Sequence, residues 1–177
     1  YRLTDNFFRF WYAFGFTNLS QLEDGDVDGV YNYAVEPALH EFAAFAFEDV
    51  CRGFVKELQK KNVLPFRYSK IGRWYGKTTV RDKDAAAGTR VAETEIDLLC
   101  IDKDSTVYLV GECKFKGVPF AYSEFLDTKA KLAPLQEHAK FYYALFSESG
   151  FDEKIVECAR KDNSIMLYDL STIVNNG

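Results

Sequence analysis

TEIDLLCID at 94–102 and TVYLVGECKF at 106–115 are the two runs on which the reading of this chain turns. Each is apolar along most of its length, and only the polar triplet Lys103-Asp104-Ser105 separates them, so together they read as a β-hairpin. Side chains alternate along a strand. That places Leu99, Ile101, Tyr108 and Val110 on one face and Ile96, Leu98, Cys100, Leu109 and Cys113 on the other. Apolar residues on both faces belong to a central strand pair covered on both sides. A turn centred on Asp104 and Ser105 sets Asp97 opposite Glu112 and Glu95 opposite Lys114. Like charges so opposed destabilise a sheet unless a cation lies between them. Lys114 is one such cation, and a divalent metal held by Asp97 and Glu112 is the other.

Outward from the hairpin, the pattern of Leu39, Ala43, Ala46, Val50, Phe54 and Leu58 predicts a helix from Pro37 to about Lys60. Glu48 falls at the margin of its apolar arc, where an i,i+4 pair with Arg52 is the ordinary explanation. Residues 64–75 read as a strand leading into a basic loop, and residues 119–133 as a helix stopped by Pro134. FYYALFS at 141–147 and SIMLYDL at 164–170 read as strands, with a helix over 151–160 between them. Alternating helices and strands make the chain α/β, a central mixed sheet flanked by helices. Ahead of this, residues 1–16 carry Thr4 and Asp5 as helix caps and more aromatic side chains than one helix face can hide. This N-terminal helical extension expects a partner surface. We divide the chain into a helical linker and acidic loop, 1–35, and a main domain, 36–177.

The 177 residues, 47% hydrophobic and 16% aromatic, exclude a disordered segment. A net charge of −5 excludes a uniformly basic nucleic-acid binder and leaves only a local basic patch, Arg67, Lys70, Arg73, Lys77, Arg81, Lys83 and Arg90. Arg73, Lys77 and, on the later helix, Lys129 are the candidates for phosphate contact; Lys131 on that helix is a further one, with a solvated helix face the ordinary explanation for both lysines. Four separated cysteines and two histidines without a C-x-x-C pair argue against zinc. DGDVDG at 24–29 begins like a calcium-binding loop but has Val35 where a bidentate Glu is needed, so it reads as an acidic surface loop. Reduced cysteines, no signal peptide and no long uncharged apolar run point to the cytoplasm and to no membrane partner. Beginning at Tyr1, the chain reads as a fragment of a longer polypeptide.

The charged end of the hairpin fits hard-cation chemistry, because Mg²⁺ or Mn²⁺ takes one or two carboxylates together with waters and phosphate oxygens. Asp97, Glu112 and the Cys113 carbonyl are the expected metal ligands. Lys114 is expected to orient water or steady the phosphorane, with Glu48 approaching from the helix. The alternative is a charge ladder at a wet sheet end.

The same residues in this order, Glu48 on a helix, Glu95-Ile96-Asp97 on a strand and Glu112-Cys113-Lys114 as E-x-K, resemble the PD-(D/E)XK nuclease-like superfamily, with Ile96 where its motif name has proline. YRLTDNFFRFWY, FED, IGRWYGK, TEIDLLC, LVGECKF and LFSESGFD look like the C-terminal domain of archaeal-type ATPases. The resemblance implies a restriction-endonuclease-like core joined to an upstream P-loop ATPase module. The chain has no G-x-x-x-x-G-K-[ST], so ATP is not expected to bind this fragment. It also implies a metal-dependent phosphodiesterase acting on DNA or RNA, or alternatively a silent nuclease-fold module that binds nucleic acid or a partner protein and regulates the ATPase.

Overall fold

The hairpin forms in the register its turn dictates. Strands β2 (Thr89–Ile101) and β3 (Val107–Lys114) pair antiparallel, Leu98 with Gly111, Leu99 with Val110, Cys100 with Leu109 and Ile101 with Tyr108. The Asp102 carboxylate fixes the turn by accepting from the Thr106 and Val107 N–H groups at 2.8 and 3.1 Å and from the Thr106 hydroxyl at 3.0 Å. A Cβ on Gly111 would lie 2.8 Å from Leu98 Cβ, so glycine is required for this close cross-strand pairing.

The computed structural model describes residues 3, 5–81, 89–132 and 139–176. Thr4, Lys83 and Pro134, which figure in the sequence reading, lie outside the described residues. The chain divides into two compact units, Tyr1–Asp49 and Val50–Gly177, with the boundary inside the long helix α4 (Glu36–Lys60).

In the second unit β1 (Lys70–Arg81), β2, β3, β4 (Lys140–Ser147) and β5 (Ile165–Asp169) lie in that order in one mixed sheet. The β1–β2 and β2–β3 pairs are antiparallel, and the β3–β4 and β4–β5 pairs parallel. The parallel connections are carried by helices α5 (Tyr122–Lys131) and α6 (Glu153–Lys161), the crossovers that parallel neighbours require. A final helix, α7 (Leu170–Asn176), follows β5. One face of the sheet buries Leu99, Val110, Tyr143 and Leu145 with Phe125 and Leu132 near α5 and Ile155 of α6. Against the other, the last part of α4 buries Cys51, Phe54 and Val55, with Phe54 meeting Phe146 edge-on at 6.5 Å between centroids. Both faces are covered, which explains why the hairpin is apolar on both.

Asp152 starts two helices at once: its carboxylate caps α6 through Ile155 N–H at 2.8 Å and accepts the first α5 amide, Tyr122 N–H, at 2.6 Å.

Three features depart from what the sequence pattern predicts. The first strand begins at Lys70 and not at residue 64. The β1–β2 register shifts between Gly72 and Trp74: Gly72 pairs with Leu99 but Trp74 with Ile96, so β2 carries one extra residue opposite Arg73. Such a bulge interrupts strict alternation. Ile96 accordingly packs in the same cluster as Leu99 and Val110, not on the opposite face. Finally, DGDVDG is a helix junction. Gly25 takes a φ of +86°, and Asp26 caps α3 (Val27–Val30) by accepting from Gly29 N–H at 3.0 Å.

The first unit opens with α1 (Asn6–Phe10), capped by Asp5, which accepts from Phe7 and Phe8 N–H. Two π-helical turns and the short α2 (Leu19–Glu23) and α3 lead into α4. Phe14, Val30 and Val35 form its small core, with Phe10, Phe14 and Phe42 in mutual ring contact. Phe7, Phe8, Tyr12, Phe16 and Tyr33 stay exposed.

Candidate active site

Beyond Leu98 and Gly111 the β2–β3 ladder gives way to a side-chain contact. The Asp97 carboxylate accepts the Cys113 N–H at 2.8 Å. Because the N–H and C=O of one strand residue project to the same side, the Cys113 carbonyl faces this same gap. The Cys113 thiol turns to the other sheet face, where it hydrogen-bonds Cys51. That bond, burial and nearby carboxylates push it well above its ordinary pKa.

Glu112 is the buried charge of the site, its side chain only 6% exposed. Its Oε1 accepts from Lys114 Nζ at 2.7 Å. Its Oε2 is buried and accepts no hydrogen bond, and Lys131 Nζ lies 3.6 Å from it. Lys131 in turn donates to the Glu95 carbonyl at 3.3 Å. Burial and the adjacent Glu112 charge raise the Asp97 carboxyl above the usual range, opposed by the Cys113 N–H, Lys114 and Lys131. For Lys114, burial works against the charged amine, but Glu112, then Asp97 and Glu124, outweigh it and raise its pKa. Two carboxylates and two amines thus share a largely desolvated end of the sheet. That is an arrangement characteristic of functional sites and also of structural ion-pair networks.

Asp97, Glu112, Cys113 and Lys114 therefore come together. Glu95 does not join them as expected. In place of facing Lys114 it meets Arg73 Nη1 at 3.2 Å, beyond the extra residue in β2. Arg73 also donates to the Tyr75 hydroxyl at 3.0 Å. Lys77 is exposed and, with Tyr75, Gly76, Glu93, Thr94 and Glu95, lines an open groove of about 520 Å³. Lys129 lies over the Phe125 and Tyr143 rings at 5.4 and 5.6 Å. Glu48 belongs to the first unit. Lys131 is the residue that pattern reading undervalued: it follows the buried Thr128 by three positions, which turns it toward the sheet.

Among the described residues no three His, Cys, Asp or Glu side chains gather to hold a metal ion. Two carboxylates, one with a buried unsatisfied oxygen, and a backbone carbonyl nevertheless fit Mg²⁺ or Mn²⁺, which keep several waters. No helix among the described residues is long and apolar enough to cross a membrane.

Uncharacterized protein MJECL04 of Methanocaldococcus jannaschii is 30% identical over 175 residues, 96% of this chain but 34% of its own. The chain thus spans about a third of the length of that relative. A solved protein of unknown function, AF1548, is 17% identical, with 69% of this chain and 58% of that one covered and a TM-score of 0.37. The model of a family of archaeal and bacterial proteins of unknown function, DUF234, matches residues 11–129, more than half of the chain, and the chain belongs to that family.

Proposed function

We propose that the second unit is a metal-dependent phosphodiesterase of the PD-(D/E)XK type, with a restriction-endonuclease-like core, acting on DNA or RNA as part of a larger P-loop ATPase. The observation that carries this reading is the convergence of Asp97, Glu112 and Lys114 with a buried Glu112 oxygen that accepts no hydrogen bond. Asp97, Glu112 and the Cys113 carbonyl would hold Mg²⁺ or Mn²⁺. When bound, such an ion neutralises phosphate charge and acidifies water. Lys114, fixed on Glu112 and 30% exposed, turns its other N–H groups toward an approaching phosphate oxygen. Hydrolysis adds water oxygen to phosphorus, breaks one P–O ester bond and delivers a proton to the departing sugar oxygen. Arg73 pairs with Glu95, and Lys77 and Glu95 line one groove, along which flanking phosphates would pass. The ATPase module would lie outside these 177 residues, which match 34% of the longer relative.

One observation favours a silent regulatory module: Lys114 and Lys131 both pair with Glu112, and their charges also act on Asp97. Incubating the 177-residue chain with single- and double-stranded DNA and RNA in Mg²⁺ or Mn²⁺ separates the two. A nuclease cleaves, and Asp97→Ala and Lys114→Ala each lose at least about a hundredfold. Equal cleavage by both variants refutes the assigned site. No cleavage, alone or joined to an ATPase module, with steeply salt-dependent binding that is lost on Arg73 and Lys77 substitution, selects the regulatory module.

A further inference from the structure

We infer that Lys131 is the resident counter-ion of Glu112, displaced when a divalent cation enters, and that it raises the cation concentration needed to load the site. The inference rests on the proposed metal site.

The two oxygens of Glu112 are in different states. Oε1 is engaged by Lys114 at hydrogen-bond distance, and Oε2 is not, although it is buried. At 3.6 Å, Lys131 Nζ attracts Oε2 without hydrogen-bonding to it. Its hydrogen bond goes to the Glu95 carbonyl at 3.3 Å, so it can withdraw without giving up one to Glu112. The Lys131 side chain is 30% exposed, which gives the ammonium a wet path out. A hard divalent ion approaches a carboxylate oxygen to about 2.1 Å. It carries twice the charge to a shorter distance, and the ammonium cannot stay beside it without repulsion. Lys114 is less readily displaced, being held to the opposite oxygen at 2.7 Å. Lys129 cannot substitute, because it is occupied over Phe125 and Tyr143.

Mn²⁺ titration of the 177-residue chain, by calorimetry and by the paramagnetic resonance of free Mn²⁺, tests this without any nuclease assay. Lys131→Gln should bind Mn²⁺ about tenfold more tightly than the parent, since a competing charge is gone. Lys131→Arg and Lys129→Gln should stay within about twofold, and Glu112→Gln should lose binding. If the parent binds through Glu112 and Lys131→Gln binds equally or more weakly, the inference is overturned while the metal site stands. If neither the parent nor Lys131→Gln binds, or if Glu112→Gln binds as the parent does, the metal site fails and the inference falls with it.

Discussion

Replacing Lys114 with methionine keeps most of its apolar stem and removes only the charge that satisfies Glu112 Oε1. Stranding a fully buried carboxylate costs about 3–5 kcal/mol. Glu112 is close to that limit at 6% exposure, but Lys131 remains 3.6 Å from its other oxygen, and the vacated space is partly open because Lys114 was 30% exposed. We therefore expect a loss of about 2 kcal/mol, which lowers a urea midpoint by about 1 M for a slope near 2 kcal/mol/M. The control is Lys116→Met, which breaks a 2.7 Å pair with Glu124 where the two side chains are 32% and 27% exposed. Glu124 keeps the Ala121 N–H, so the cost there should stay below about 1 kcal/mol. Adding Glu112→Gln to Lys114→Met removes the stranded charge and should recover about half of the loss. The measurement is equilibrium urea unfolding at neutral pH, followed by circular dichroism. A Lys114→Met shift no larger than that of Lys116→Met, or no recovery in the double variant, would refute the buried Glu112–Lys114 pair as the organising feature of the site.

Asp97 gives a pH signature. Its folded pKa is raised, so the folded state holds this proton more tightly than the unfolded chain does. The stabilisation is fully present below the unfolded value of about 3.9 and is lost as pH rises through the raised folded value. Above that window the charged form costs stability, so Asp97→Asn should raise the melting temperature at neutral pH and flatten its fall through the window; a lower melting temperature at pH 7 would contradict this. Asp152→Ala removes the shared start of α5 and α6 and should cost about 2 kcal/mol in the same urea assay, twice an ordinary cap, with Asp152→Asn milder. A loss under about 0.5 kcal/mol would show that the two helix starts are held by packing alone.

Much of the fold is legible in local pattern. The spacing of Ala43, Ala46, Val50, Phe54 and Leu58 is that of a real helix. The short turn at 103–106 leaves little choice of register, and the pairing of Leu98 with Gly111 is the one it dictates. That register points Asp97, Glu112 and Lys114 to one sheet end, although the ladder stops at Leu98 and Gly111 and Asp97 meets β3 through its carboxylate. What sequence determines here is local: period, turn length and the alternation of an uninterrupted strand.

Only the tertiary structure decides where alternation breaks and what arrives from elsewhere. The extra residue of β2 exists only against β1, a strand some twenty positions earlier, and it sends Glu95 to Arg73 and Ile96 into the core. Lys131 reaches Glu112 because Phe125 and Leu132 anchor the region of α5 over the sheet, a placement set by packing between segments that share no local pattern. Spacing could name the charges of this site, but the free oxygen of Glu112 and the amine beside it follow from how helix and sheet close on each other.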